Sequence, residues 1–103
     1  MTSNIEVAKI ITEQLEQSFN MILMGRKVSF FAYIGAKKGT FVYSDNSLMF
    51  IVPKRQKIII TLNGKDLYDV DLYSLRKFDY IKRVKDVYND QLKDTVFELM
   101  GIN

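Results

Sequence analysis

The sequence predicts an α+β domain with an N-terminal helix, an antiparallel meander of four to five strands and a C-terminal helix. Three observations lead to this prediction. Apolar residues recur at helical spacing near both ends of the chain, short β-prone runs fill the middle, and an Asn63-Gly64 pair lies between two of these runs. With 103 residues, the chain has room for one domain, spanning residues 1–103.

The first predicted element is a helix from Ser3 to Asn20. Ser3 and Glu6 have the spacing of a capping box, in which two side chains satisfy backbone N–H groups at the start of a helix. The spacing of the apolar residues gives this helix one side that can pack against a sheet. Those apolar residues are Val7, Ala8, Ile11, Leu15, Phe19 and Ile22.

Short β-prone runs separated by turn residues follow this helix. The turns are marked by Gly35, Gly39, Asp45-Asn46 and Pro53. Because the connections are short, we expect neighbouring strands to run antiparallel. The predicted strands are Val28–Ile34, Thr40–Tyr43 and Leu48–Val52, followed by the two strands on either side of Asn63-Gly64.

The hydrophobic pattern around Asn63-Gly64 favours a three-residue hairpin loop. A two-residue turn there would place Ile58 opposite Asp69, on one face of the sheet. A loop formed by residues 62–64, with Gly64 in the left-handed conformation, avoids this mismatch. It gathers the apolar side chains of both strands on one face, namely Ile58, Ile60, Tyr68, Val70 and Leu72.

The last predicted element is a helix from Lys85 to Met100. Gly101 follows it at the position where a left-handed glycine often ends a helix. Its apolar residues recur every three or four positions, at Val84, Tyr88, Leu92, Val96 and Leu99.

Residue types missing from the chain exclude several classes of site. The sequence contains no cysteine and no histidine. Disulfides, cysteine metal sites, and Ser-His-Asp or Cys-His catalysis are therefore excluded. We expect a protein that is not an enzyme and uses no cofactor. Arg26-Lys27 interrupts the longest apolar stretch, so we also expect a cytoplasmic protein without a membrane span.

Clustered acids on the hairpin raise the question of a metal site. Asp69 and Asp71 point the same way from one strand, as a pair of magnesium ligands would. The predicted register instead pairs Lys57 with Asp69 and Arg55 with Asp71. We therefore interpret these acids as structural ion pairs and predict no metal site.

Positive charge is concentrated in the middle of the chain. Residues 26–57 contain seven cations against one acid, whereas the segments on either side are slightly acidic. Cations that contact phosphates and aromatic rings that stack on bases are typical of surfaces that bind single-stranded nucleic acid. The alternative is that the aromatic residues pack in the core or in a dimer interface. The candidate residues are Arg26, Lys27, Phe31, Tyr33, Lys37, Lys38, Tyr43, Lys54 and Arg55.

A second candidate surface is a row of acids on the predicted C-terminal helix. Side chains four residues apart lie next to each other on a helix, so like charges there repel. The row could bind a basic partner protein, or it could be a solvated face. Its residues are Asp86, Asp90, Asp94 and Glu98.

Apolar residues on both faces of the predicted strands favour self-association. Two helices usually cover one face of a sheet of this size, so the other face must contact something else. A second helix position, a second copy of the chain or a ligand would suit it, and among these we expect a homodimer.

Several short motifs, mostly in the C-terminal two thirds of the chain, carry a family resemblance. They are Gly35-Ala36-Lys37, Asn46-Ser47-Leu48, Phe50, Ile60-Thr61-Leu62-Asn63, Asp66-Leu67-Tyr68-Asp69-Val70, Asp86-Val87-Tyr88, Gln91-Leu92 and Gly101-Ile102. In these motifs the chain resembles a family of small uncharacterised proteins encoded by bacteriophages and related mobile elements. The resemblance implies a phage-like origin, the cytoplasm of a host cell, and a role in handling nucleic acid or in countering a host system.

The basic middle segment and the unmatched apolar sheet face lead us to expect a binding protein that presents a basic, aromatic sheet to nucleic acid. The alternative is an inhibitor or adaptor that acts on a host protein.

Overall fold

The computed structural model describes residues 6–102. It has an N-terminal helix, a five-stranded antiparallel sheet and a C-terminal helix, which confirms the predicted α+β fold class. The helices are α1 (Glu6–Ser18), α2 (Phe30–Ile34) and α3 (Leu92–Met100), and a 3-10 turn at Asn89–Gln91 precedes α3. The strands are β1 (Ile22–Leu23), β2 (Arg26–Lys27), β3 (Val42–Tyr43), β4 (Ser47–Val52), β5 (Gln56–Leu62), β6 (Tyr68–Ser74) and β7 (Asp79–Val87).

Strands β3 to β7 form one meander in chain order, and each neighbouring pair is antiparallel. Strands β1 and β2 form a separate two-stranded hairpin. Helix α1 begins within the predicted range, and the predicted capping residue Ser3 lies outside the described residues. None of the helices in residues 6–102 is long and apolar enough to cross a membrane.

One face of the five-stranded sheet packs against the helices and forms the core. Leu48, Phe50, Ile58, Ile60 and Val70 alternate along three central strands and are fully buried. The helices cover them with an aromatic cluster, whose rings lie 5.1 to 5.9 Å apart. The cluster consists of Phe19, Phe30, Phe31, Tyr33 and Phe97.

The predicted strand Val28–Ile34 is wrong, because its second half forms helix α2. Glu16 on α1 accepts hydrogen bonds from the backbone N–H of Phe30 at 2.6 Å and from the Ser29 hydroxyl at 2.8 Å. These bonds satisfy groups that a helix start leaves unpaired. Gly35, with φ of 78°, ends the helix in the left-handed conformation. A carboxylate from another helix thus favours the helical conformation over the strand that the composition indicated.

The β5–β6 hairpin has the predicted faces but a different register. The apolar face forms as expected, since Ile58 pairs with Leu72 and Ile60 with Val70. The turn lies two residues later than predicted, so each residue of β5 has a partner four residues further along β6: Lys57 lies opposite Tyr73 and was predicted opposite Asp69. An even shift keeps every side chain on its face, because strand side chains alternate with period two.

The hairpin loop contains three residues, as predicted, but begins two residues later than expected. The backbone N–H of Asn63 donates to the Leu67 carbonyl at 2.8 Å, which leaves residues 64–66 as the loop. Asp66 has a φ of 60°, so it takes the left-handed position that was predicted for Gly64. The turn hydrogen bond runs from the Asp66 N–H to the Asn63 carbonyl at 3.2 Å.

The predicted C-terminal helix is too long at its start. Helix α3 begins at Leu92, and the residues up to Val87 belong to strand β7. The helical spacing of apolar residues extends upstream to Val84 and Tyr88, but both of these side chains are exposed. In this part of the chain the spacing therefore does not mark the buried side of a helix. Gly101 ends α3 with a φ of 74°, as predicted.

Candidate nucleic-acid interface

The sheet face opposite the helices is open to solvent and carries both apolar and polar side chains. Met49, Ile51 and Ile59 lie on this face and are only partly buried. Its central and outer strands also present a tyrosine pair with cations next to it. The open face thus combines apolar, aromatic and cationic side chains.

Two tyrosines and two cations form a continuous strip across the open face. The rings of Tyr73 and Tyr80 meet edge to face, with centroids 5.2 Å apart. The Lys57 ammonium lies 5.3 Å from the centroid of Tyr73, and the Arg83 guanidinium lies 3.9 Å from that of Tyr80. Tyr80 is 41% exposed, so part of its ring remains available to a ligand.

A buried carboxylate holds the arginine of this strip in place. Arg83 Nε donates to Asp71 Oδ1 at 3.1 Å, and Asp71 is only 5% exposed. The hydrogen bond to Asp71 and the charge of that carboxylate raise the pKa of Arg83 above its usual value. Arg83 therefore stays charged while its guanidinium stacks on Tyr80.

A cavity lined by three cations lies at one end of the sheet. Lys54 and Arg55 form the β4–β5 turn, and Arg76 belongs to the β6–β7 turn; together they line a volume of about 520 Å³. The Leu75 N–H donates to the Arg55 carbonyl at 2.9 Å and fixes the two turns side by side. None of the three cations forms an ion pair with another residue in the range 6–102.

The backbone of the β4–β5 turn is strained at its two cations. Lys54 has a φ of 69° and Arg55 a φ of 55°, in the left-handed region where glycine and asparagine are usual. Each such residue costs on the order of 1 kcal/mol relative to glycine. Four other residues outside this turn, Met24, Asp66, Phe78 and Asp86, also have positive φ, so the conformation by itself does not mark a site.

Two more predicted cations lie close to this end of the sheet. The Lys37 N–H donates to the Ile51 carbonyl at 2.9 Å, beside the last residues of β4. A Cβ at Gly35 would lie 2.8 Å from Pro53 Cγ, so a glycine is needed for the two segments to pack this closely. The β4–β5 turn and the segment that contains Lys37 and Lys38 therefore adjoin.

The predicted cations thus divide into two groups. One group lies at the same end of the sheet and consists of Lys37, Lys38, Lys54 and Arg55. Arg26 and Lys27 lie elsewhere, in the exposed β1–β2 hairpin, where Lys27 lines a cavity of about 250 Å³ together with Glu16.

The predicted aromatic residues do not lie on the open face. Phe31 is 9% exposed and packs against Phe41 and Phe50, so it belongs to the core. Tyr33 lies on helix α2 and contacts the aromatic cluster, because residues 30–34 are helical. Tyr43 lies on edge strand β3 opposite Leu48, which places it on the helix-covered side of the sheet.

The aromatic residues that do lie there are Tyr73 and Tyr80, which the sequence reasoning did not select as site residues. Arg76 and Arg83 were not among the predicted site residues either, because they lie outside the basic segment at residues 26–57. The spacing of Tyr73 from Asp69 and Asp71 could have placed it on their face, because all three have the same parity.

The predicted acidic row does not form. Asp86 lies in strand β7 and Asp90 in the 3-10 turn, so only Asp94 and Glu98 lie on helix α3. The predicted ion pairs of Asp69 and Asp71 are also absent from the structure. Asp69 lies opposite Thr61, and Asp71 lies opposite Ile59 and binds Arg83 instead. Within residues 6–102, no group of three acidic, histidine or cysteine side chains could hold a metal ion.

Comparison with protein-family models, with curated proteins and with solved structures finds no match to this chain. The function therefore has to be argued from the surfaces of the molecule. The basic end of the sheet and the tyrosine strip adjoin, because Lys57 is two residues from Arg55 and Tyr73 is three residues from Arg76.

Proposed function

We propose that this protein is a non-enzymatic nucleic-acid-binding protein that holds a single strand across the open sheet face. The observation that carries the proposal is the cluster of Lys54, Arg55 and Arg76 around one cavity, without an ion-pair partner in the described range. A phosphate in this cavity would supply the missing negative charge. The same cluster adjoins Tyr73 and Tyr80, on which unpaired bases can stack.

The geometry favours a single strand over a duplex. Tyrosine rings bind bases through their faces, and bases expose their faces only when they are unstacked. Stacking on an aromatic side chain contributes about 1 to 3 kcal/mol per base. A duplex could contact the basic end but would gain nothing from the tyrosine strip.

The salt dependence of binding follows from the number of cations. Lys54, Arg55, Arg76 and Lys57 could neutralise three or four phosphates of a single strand. Each phosphate contact contributes about −0.7 to the slope of log K against log salt concentration, so we expect a slope of about −2 to −3. Fluorescence anisotropy with a labelled oligothymidylate at several salt concentrations measures it. A slope near zero, or no binding at low salt, would refute the proposal.

Matched pairs of cations provide the decisive variants. Lys54→Ala with Arg55→Ala removes two charges from the basic end, and Arg26→Ala with Lys27→Ala removes two charges from the β1–β2 hairpin. We expect the first pair of substitutions to reduce affinity about tenfold or more. They should also bring the slope of log K against log salt concentration closer to zero by about 1.4. The second pair should leave both quantities nearly unchanged. Equal effects of the two pairs would mean that only net charge matters.

The strained turn allows binding and stability to be separated. Arg55→Gly removes the strain of a left-handed φ at this position and also removes a cation. Affinity for the oligonucleotide should therefore fall, while the free energy of unfolding stays the same or rises by up to about 1 kcal/mol. Urea unfolding and anisotropy on the same variant measure the two effects. Loss of both stability and binding would indicate that Arg55 has a structural role.

A second candidate function uses the same open face as a protein interface. Met49, Ile51 and Ile59 leave apolar surface there, which a second copy or a host protein could cover. In this case the protein would be a homodimeric inhibitor or adaptor, consistent with the phage-like origin that the sequence resemblance implies. Light scattering tests it: a dimer that Ile59→Glu converts to a monomer supports this candidate.

A further inference from the structure

Strand β7 is a long edge that no other strand of the described chain covers. It extends over nine residues, Asp79–Val87, and pairs only with β6. The pairing is regular at Lys82–Val84, and one register shift lies on each side of these residues. All of its residues except Val87 are exposed. The opposite edge, β3, has only two residues. Unpaired N–H and C=O groups along such an edge can accept an additional strand.

A groove runs between this edge and helix α3. Its volume is about 350 Å³, and its lining includes Val84 from the strand and Leu99 from the helix. Val84 is 37% exposed, although it lies on the helix-covered face opposite Val70. The charged residues of its lining are Lys82, Arg83 and Glu98. Apolar side chains from an added strand would cover Val84 and Leu99 here.

The other side of the β7 edge carries two cations, Arg83 and Lys85, and the acids nearest to them are paired: Asp71 binds Arg83, and Asp86 binds Lys65. Arg83 lies opposite Asp71 on the open face, and Lys85 has the same parity along the strand. Because alternate side chains of an added strand point to opposite faces, its open-face residues would meet Arg83 and Lys85. Acidic side chains fit these positions, and apolar ones fit the groove.

The same charges disfavour a second copy of β7 as the added strand. In every antiparallel register that overlaps at least seven of the nine residues, Lys82, Arg83 or Lys85 meets itself or another of these three cations. Like charges opposite each other destabilise strand pairing, and lysines on an edge are a common protection against self-pairing. The charges therefore favour a different occupant over a second β7.

We propose that the β7 edge binds an extended segment of a partner protein in which acidic and apolar residues alternate. The segment adds a sixth strand to the sheet, with its acidic side chains toward Arg83 and Lys85 and its apolar side chains in the groove over Val84 and Leu99. This proposal does not rest on nucleic-acid binding, although it shares Arg83 with the tyrosine strip: the backbone edge of β7 and the groove beside α3 are not part of the nucleic-acid interface.

A labelled nonapeptide of alternating glutamate and valine, with blocked ends, is the probe. We expect it to bind in anisotropy titrations about tenfold more tightly than a peptide with lysine in place of glutamate. It should also bind more tightly than a non-alternating peptide of the same composition. N-methylation of alternate amides on one edge of the peptide should abolish binding, and N-methylation on the other edge should not. Equal binding of all these peptides would overturn the proposal.

Variants of the protein locate the site. Val84→Glu should weaken binding about tenfold or more, and Ile10→Glu, on an exposed position of α1, should not. Lys85→Glu reverses a charge on the open-face side of β7 and leaves the groove lining unchanged. It should also weaken peptide binding, and it therefore tests the proposal even if Val84→Glu does not fold. Lys54→Ala with Arg55→Ala should leave peptide binding intact. A dimer that Val84→Glu disrupts, with no peptide binding, would assign the edge to a second copy and overturn the proposal.

Discussion

The side-chain amide of Asn63 donates a hydrogen bond to Asp86 Oδ1 at 2.9 Å and so joins the β5–β6 turn to strand β7. The same nitrogen lies 3.0 Å from Asp69 Oδ1. Asn63 Oδ1 accepts hydrogen bonds from the backbone N–H groups of Lys65 at 2.8 Å and Leu67 at 3.2 Å. One side chain therefore fixes the turn and connects it to the neighbouring strand.

Asn63→Asp tests this role, because aspartate has nearly the same shape but no donor. It would also place a third carboxylate beside Asp69 and Asp86. We expect the free energy of unfolding to fall by about 1 to 3 kcal/mol in urea titrations. The loss should shrink at about 1 M salt, where the screening length is about 3 Å. Asn20→Asp, at an exposed position, is the control and should change stability little.

Glu16 offers a second test, since it connects helix α1 to the start of α2 through Ser29 and Phe30. Glu16→Ala should lower the free energy of unfolding by about 1.5 to 3 kcal/mol, because it removes hydrogen bonds to a charged group. Glu16→Gln keeps an acceptor and should lose less. Glu13→Ala, on the exposed side of the same helix, is the matched control. Equal losses for Ala at positions 13 and 16 would contradict the anchoring role.

The hairpin illustrates which features of the fold could be predicted from sequence. The alternation of Ile58 and Ile60 with Val70 and Leu72 determines which face is buried, and this prediction is confirmed. Alternation cannot distinguish registers that differ by an even number of residues, as the predicted and observed ones do, because both bury the same side chains. The choice depends on the hydrogen bonds of the Asn63 side chain, which involve a strand 23 residues away.

The interface follows the same pattern. Lys54 and Arg55 were predicted because charge can be read from sequence, and they lie at one cavity with Arg76. The aromatic residues of the interface were predicted wrongly. Composition does not reveal that Phe31 belongs to helix α2, whose start is held by the Glu16 carboxylate. Tertiary contacts decided the conformation there, and local propensity did not.

The pairing of Arg83 with Asp71 predicts an asymmetric response to mutation. Arg83→Ala leaves a buried carboxylate without its partner, which is costly. Asp71→Asn leaves a half-exposed guanidinium that water can solvate. We expect Arg83→Ala to destabilise the protein more than Asp71→Asn in urea unfolding. The double variant should recover most of the loss caused by Arg83→Ala, and strictly additive losses would contradict this account.

Tyr68 predicts how stability depends on alkaline pH. Burial, reinforced by the negative charge of Asp66, raises the pKa of the Tyr68 hydroxyl above its ordinary value of 10.0. The folded protein thus holds this proton more tightly than the unfolded chain does. The stability that depends on the proton is fully present below about pH 10 and is lost as pH rises through the folded-state pKa.

Tyr68→Phe isolates this contribution from the other groups that titrate above pH 9. Urea unfolding at pH 8 and at pH 11 should give a smaller decrease in stability for the variant than for the parent protein. Tyr88→Phe is the matched control, because Tyr88 is exposed whereas Tyr68 is only 7% exposed. It should follow the parent protein at both pH values. If Tyr68→Phe also follows the parent, burial of the Tyr68 hydroxyl does not contribute to the alkaline loss of stability.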